Sequence, residues 1–321
     1  QSQLDQHPPE LYPIPDPCPL HGLHPAAIPT HVAGFDPIDK ARQALWPAGS
    51  TVALDRLEQF IEHGLWQYNS RRNRPDLEDG TSRLSAYLAV GALGNRQCYV
   101  AAQRHLSTQG DHSEAAQWIS ELCWRDFYRH VLVGFPQVSR GQAFDAKTDA
   151  KIAWSYDPKH FQAWKDGKTG VPIVDAAMRA LKAEGFMHNR LRMVTAMFLT
   201  KNLLIDWRWG EQYFCQQLID GDLASNNGGW QWSASVGTDA APYFRVMNAM
   251  TQGQTHDPQG DYIRRWVPEL SHLGPESIHQ PRVLACTRQY VPPMVDLKLS
   301  RERAIAAFKI DLLDKNKSYD V

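Results

Sequence analysis

The chain has 321 residues, 43% of them hydrophobic, and a formal net charge of −1. Length and apolar share supply a large core in one or two units, and no apolar run is long enough to cross a bilayer. Bulk charge does not announce a nucleic-acid partner, so any anionic ligand has to meet a local patch.

Residues 1–36 are rich in proline (Pro8, Pro9, Pro13, Pro15, Pro17, Pro19, Pro25 and Pro29). Proline fixes φ and removes backbone donors, so this stretch reads as an extended linker entering a domain at 37–315. Its start lacks the basic-then-apolar pattern of a signal peptide. The scattered cysteines Cys18, Cys98, Cys123, Cys215 and Cys286 read as reduced thiols of an intracellular protein. Cys18, His21 and His24 have ligand-like spacing, but no second pair follows, so no metal site is expected.

Beyond residue 37 the apolar period becomes helical. Ile38–Leu45, Val52–Tyr68, Ser82–Leu93, Ala115–Val133, Ile173–Glu184, Asn189–Leu204 and Trp209–Leu218 carry apolar residues three and four apart. Two-residue alternation with hairpin turns is missing. The expected architecture is mainly α with long loops. One such loop is placed at 224–245, where length itself hints at function. A final helix follows Leu297, with a polar tail at 316–321.

Four blocks carry chemistry. Gly80-Thr81-Ser82-Arg83-Leu84-Ser85 opens a helix, with hydroxyls suited to capping and free N–H groups suited to an anion. Trp118, Glu121, Trp124, Arg125 and Tyr128 share one broad helical face. That face fits a functional surface, and equally a plain core with a Glu121–Arg125 surface pair. His188, Asn189, Arg190, Arg192 and Met193 begin another helix, on which Asn189, Arg192, Met193 and Ala196 align. An arginine there could neutralise Asp220 or Asp222, since buried charges need partners. Finally, Ile219-Asp220-Gly221-Asp222 runs into Asn226-Asn227-Gly228-Gly229-Trp230-Gln231-Trp232. Glycines admit close approach, carboxylates and amides read a polar heterocycle, and tryptophans offer flat oxidisable rings. Asp220-x-Asp222 is not a calcium loop, because Ala224 and Ser225 occupy positions that need a ligand and a glycine.

In this order the blocks resemble the flavin-binding helical domain of the photolyase/cryptochrome family, nearest to class I cyclobutane pyrimidine dimer photolyases. The likeness runs over roughly 37–315. It is densest at Gly80–Ser85, Trp118–His130, Trp164–Asp206, Tyr213–Arg245 and Tyr262–Leu270. It implies an all-helical domain holding one noncovalent FAD bent into a U. On that resemblance Tyr68, Thr81, Ser82, Arg83, Leu84 and Ser85 hold the phosphates and ribityl chain, and Trp118 lies near the cofactor. Asp220, Gly221 and Asp222 contact its flavin and adenine ends, Asn226 faces flavin N5, and Arg192 pairs with the Asp220 region.

The resemblance also implies damaged DNA as the partner. Arg72, Glu121, Leu122, Cys123, Trp124, Arg125, Asp126, Phe127, Tyr128, Asn189, Arg190, Arg245 and Gln252 match its DNA-contacting positions. Glu121, Trp124, Asn189, Met193 and Trp232 would line the pocket for a flipped-out dimer and, with Asn226, form the catalytic set. Trp230, Trp207 and Trp154 match a chain that passes electrons from the surface to the flavin. The implied activity is light-driven splitting of pyrimidine dimers by a cytoplasmic, nucleoid-associated monomer.

The rival is a cryptochrome that signals without repair. Retention of Trp232, Glu121 and Trp124 favours repair, and the lack of a histidine pair near Asn189 disfavours a (6-4) photolyase. Ala249, Thr255-His256 and the stretch Gln280–Tyr290, which lacks a Trp, depart from the usual pattern at the DNA edge. The family's N-terminal α/β antenna domain is expected to be absent, and with it a folate or deazaflavin chromophore.

Overall fold

The computed structural model describes residues 40–108, 113–238, 242, 245–280, 283 and 287–315. The proline-rich segment 1–36, with Cys18, His21 and His24, and the tail 316–321 lie outside the described residues.

Helices dominate, as expected. The first are α1 (Lys40–Leu45), α2 (Ser50–Gln59), α3 (Tyr68–Arg71), α4 (Ser85–Val90), α5 (Asn95–Thr108) and α6 (Ser113–Gly134). There follow α7 (Ala146–Lys151), α8 (Pro158–Lys165), α9 (Pro172–Glu184), α10 (Asn189–Met197), α11 (Trp207–Gln217) and α12 (Leu223–Ala234). The last are α13 (Ala249–His256), α14 (Asp261–Trp266) and α15 (Leu297–Lys315). Extended pairing among the described residues is a single parallel bridge, Ser155 to Ile205.

Two apolar cores form. The larger gathers α9, α10 and α11 around Trp164, Met178, Leu181, Phe198, Trp207 and Phe214. The smaller packs α2, α5 and α6 through Leu57, Phe60, Leu65, Tyr68, Cys98, Trp118 and Ile119. The seam between them holds the cavity described below.

Two expectations need correction. The segment placed as a loop at 224–245 begins with α12, a helix over Leu223–Ala234. The Asp222 side chain caps it by accepting the Ser225 N–H at 3.0 Å. Its apolar period is hidden because it is enclosed on several sides, with Ala224, Asn227, Trp230, Gln231, Ser233 and Ala234 all buried. Nor do Thr81 and Ser82 cap a helix. α4 starts at Ser85 with Leu84 before it and no side-chain capping bond. Arg83 sits at φ 51°, a left-handed geometry rare for non-glycine residues. Tertiary contacts hold it there: its guanidinium lies over Trp46 and Phe186, at 5.1 and 5.4 Å. Thr81 and Ser82 line the cavity instead.

Candidate functional site

The seam encloses a cavity of about 660 Å³, within the usual range for a cofactor site. Its wall is assembled from sequence-distant pieces. Tyr68 and Arg72 come from around α3, the segment Thr81–Ser85 precedes and opens α4, and Trp118, Glu121, Leu122, Trp124, Arg125 and Tyr128 come from α6. Asn189, Arg192, Met193 and Ala196 come from α10; Asn226, Trp230 and Trp232 come from α12, with Asp220 just before it. The helical-face reading of the Trp118–Tyr128 and Asn189–Ala196 sets is thus realised as cavity wall.

The charges pair across elements. Arg192 donates from Nη2 to Asp220 Oδ2 at 2.7 Å, the neutralisation expected from sequence. Asp222 meets Arg125 at 3.0 Å and Arg129 at 3.2 Å. Burial would raise the Asp222 carboxyl, but the Ser225 N–H and Arg125 outweigh it and hold it below the usual carboxylate range. Glu121 does not bridge to Arg125. It pairs with Arg72 at 2.7 Å and accepts from Gln117 at 3.0 Å.

Some expected residues stand outside the wall. Asp222 and Gly221 are not part of it: Asp222 caps α12, and the peptide N–H of Gly221 bonds back to the Leu218 carbonyl. Cys123 packs against the smaller core. Asp126 accepts from Asn95 at 2.7 Å, and Phe127 stacks edge-on with Trp124 at 5.5 Å. Arg190 is half-buried and bonds Asn73 Oδ1 at 2.9 Å. Gln252 is half-buried on α13. Arg245 is exposed and reaches the cavity.

Sequence reasoning missed Arg129, Phe186 and Ser233, and named His188 only as part of the block that begins α10. His188 is buried and caps α10, its Nδ1 accepting the Arg190 N–H at 3.2 Å. Burial and the neighbouring Arg192 push its pKa down to about 4, so it is neutral and that bond places its proton on Nε2. Only its position before Asn189 could have signalled the role.

The cavity wall fits FAD. Two buried polar atoms of wall residues find no protein partner: Asp220 Oδ1 and Arg83 Nε. Such groups need a partner, and a polar ligand can offer a donor to the first and an acceptor to the second. A Cβ built on Gly229, which lines the cavity, meets nothing within 4 Å, so bare backbone faces open space there.

Exposure is graded. Asp220, Trp118 and Trp230 are 5%, 3% and 2% exposed, whereas Trp124 is 42% exposed. Behind Trp230 lies α11: a Cβ on Gly210 would strike the Trp230 ring, and Trp207, one turn away, is fully buried. Trp154 is half-buried beyond it.

The Arg192–Asp220 pair should dominate the site's stability. Asp220's side chain is 2% exposed, so Arg192→Ala leaves a buried carboxylate unpaired, a loss of about 3–5 kcal/mol. Denaturant unfolding should show it, together with flavin release. A change below about 1 kcal/mol would mean that the pair is effectively solvated.

Comparison with known proteins agrees with this geometry. Residues 118–310 match the family described as the FAD binding domain of DNA photolyase. A deoxyribodipyrimidine photo-lyase of Escherichia coli (strain K12) is 48% identical over 270 residues, covering 83% of this chain and 57% of that protein. One from Vibrio cholerae is 49% identical, covering 82% and 56%. The chain thus spans somewhat over half the length of these relatives. Among solved structures, a bacterial class III photolyase from Agrobacterium tumefaciens superposes with a TM-score of 0.79 at 41% identity, covering 84% of this chain and 57% of that one. A Synechocystis cryptochrome gives 0.78 at 36% identity, covering 89% and 61%. On the sequence match and the shared helical fold together, the chain belongs to the DNA photolyase family and carries its FAD-binding domain.

Proposed function

We propose that the chain binds FAD in the seam cavity and uses light to split cyclobutane pyrimidine dimers flipped out of DNA. The carrying observation is the grading of the cavity wall. Of the residues assigned to the cofactor, Trp118 and Asp220 are buried and Arg192 and Asn226 half-buried; of those assigned to the dimer, Glu121 is half-buried and Trp124 and Asn189 are exposed, and all of them line the cavity.

When bound, the flavin supplies light absorption and one-electron chemistry. The chain's residues bind and orient. Thr81, Ser82, Arg83 and Ser85 offer hydroxyls and a guanidinium to the phosphate side, with Tyr68 and Leu84 packing beside them. Asp220 and the Asn226 amide address the heterocycle edge. At the mouth, Trp124 and Trp232 give π faces for two unstacked pyrimidines, and Met193 lines the same cavity. Glu121 and Asn189 reach the hydrogen-bonding edges. Taking a base out of the stack is how enzymes reach a reacting base within a duplex. Arg72, Arg190 and Arg245 supply the local positive rim that a chain of net charge −1 needs. Trp154, Trp207 and Trp230 form a relay that reduces the flavin from the surface. The domain reading keeps 37–315 as one FAD- and DNA-binding unit after a linker, acting as a cytoplasmic, nucleoid-associated monomer.

The likeness to a cryptochrome sustains a second reading, light signalling on the same cavity. Purified protein loaded with FAD, reduced and given a dimer-containing oligonucleotide under blue light decides between them. Restored thymine absorbance near the dimer supports repair. A flavin-bound protein that restores none supports signalling, and a folded protein that takes up no FAD defeats both readings.

A further inference from the structure

One carboxylate oxygen serves two of the relay tryptophans. Trp154 Nε1 donates to Asp149 Oδ1 at 3.0 Å, and Trp207 Nε1 donates to the same atom at 3.2 Å. Among the described residues nothing accepts the Trp230 indole N–H. The other oxygen of Asp149, Oδ2, takes the Arg208 guanidinium at 2.6 Å.

Arg208 also pairs with Asp206 at 3.1 Å and lies over the Trp207 ring at 4.5 Å. Two carboxylates against one guanidinium leave the Trp207 surroundings net negative. On the far side of Trp154, Phe308 packs edge-on at 6.2 Å, and Lys201 Nζ sits 3.3 Å from the Phe308 ring centre. Lys201 is fully buried and, among the described residues, its Nζ bonds the Ser235 hydroxyl alone. Burial pushes its pKa down to about 6, so at neutral pH it does not cancel the carboxylate.

We propose that Asp149 is a positioning residue for electron flow: its Oδ1 holds both outer indoles by their N–H groups, and its charge makes them easier to oxidise than Trp230. The proposal rests on the relay reading above. In the step concerned, one electron leaves Trp230 for the bound, light-excited oxidised flavin. Trp207 then re-reduces Trp230, Trp154 re-reduces Trp207, and a thiol in solution re-reduces Trp154. No bond is made or broken, and each indole keeps its N–H proton. A cation on Trp207 or Trp154 sits against a negative charge, while one on Trp230 does not, so the vacancy runs outward.

The test uses the full FAD-loaded chain and Asp149→Asn, which keeps an oxygen for both indoles but removes the charge. In the dark, the indole N–H resonances of Trp154 and Trp207 should shift together while that of Trp230 stays. After a laser flash on oxidised flavin, the yield of long-lived oxidised tryptophan should fall by about tenfold, the scale of one nearby charge at intermediate dielectric. Arg208→Gln should raise that yield; loss of mere scaffolding would lower it in both variants. Arg208→Gln also serves if Asp149→Asn does not fold.

If Trp230→Phe and Trp207→Phe block photoreduction but Asp149→Asn changes neither yield nor resonances, the proposal falls and the relay stands. If the two tryptophan variants photoreduce normally, the relay reading fails and takes the proposal with it.

Discussion

Gly229→Leu protein is expected to fold at least as stably as the parent and to bind FAD on the order of 100-fold more weakly, a loss of about 2.7 kcal/mol. The two adjacent glycines of α12 have different physical duties. A Cβ on Gly228 would collide with the Tyr128 ring, so this glycine lets α12 lie against α6. A Cβ on Gly229, which lines the cavity, meets nothing within 4 Å. Mid-helix glycine costs roughly 0.8–1 kcal/mol relative to alanine, so filling position 229 should relieve that cost while occupying ligand space. Gly228→Ala should do the reverse: it overpacks the α6–α12 contact and destabilises by about 1–3 kcal/mol. Denaturant midpoints and flavin titrations on both variants separate the two duties. Undiminished FAD affinity in Gly229→Leu would move the cofactor away from α12.

That pair also shows what the sequence makes legible. Ordered motif blocks located the cavity wall well, because each of Trp118–Tyr128, Asn189–Ala196 and Asp220–Trp232 is local in the chain and needs only helical geometry to align its residues. The α12 helix itself was hidden. Propensity argues against Gly228-Gly229 in a helix, and the compensating burial comes from α6 and α11, which local pattern does not display. Charge pairing was legible for Arg192, whose candidates were Asp220 and Asp222 and which takes Asp220. Where a local i,i+4 pair was one of two open readings, distant partners won: Glu121 takes Arg72 and Arg125 takes Asp222. Asp149 was invisible, being an isolated acidic residue on a short helix. Its meaning comes from Trp207, 58 residues away in the chain.

Glu121→Ala is expected to cut the quantum yield of dimer splitting several-fold on saturating substrate, while weakening dimer binding by about 1–2 kcal/mol. Hydrogen bonds to the dimer's carbonyl edge strengthen when negative charge grows there, so a donor at this point lowers the barrier more than it tightens the ground state. An ionised Glu121 would oppose that charge. In the free protein Arg72 offsets it at 2.7 Å, and DNA phosphates compete for the same guanidinium. Once Arg72 turns to phosphate, Glu121 helps only by holding or sharing a proton at the substrate edge. Glu121→Gln should keep most of the yield, because its amide still donates. Arg72→Ala should weaken damaged and undamaged DNA binding alike and reduce the salt slope by about 0.9 for the lost phosphate contact. All measurements start from chemically reduced flavin, so the tryptophan relay does not enter. An unchanged yield in Glu121→Ala would remove this carboxylate from the chemistry. The exposed mouth would then lack its one acid beside Trp124, and signalling would become the better account of the cavity.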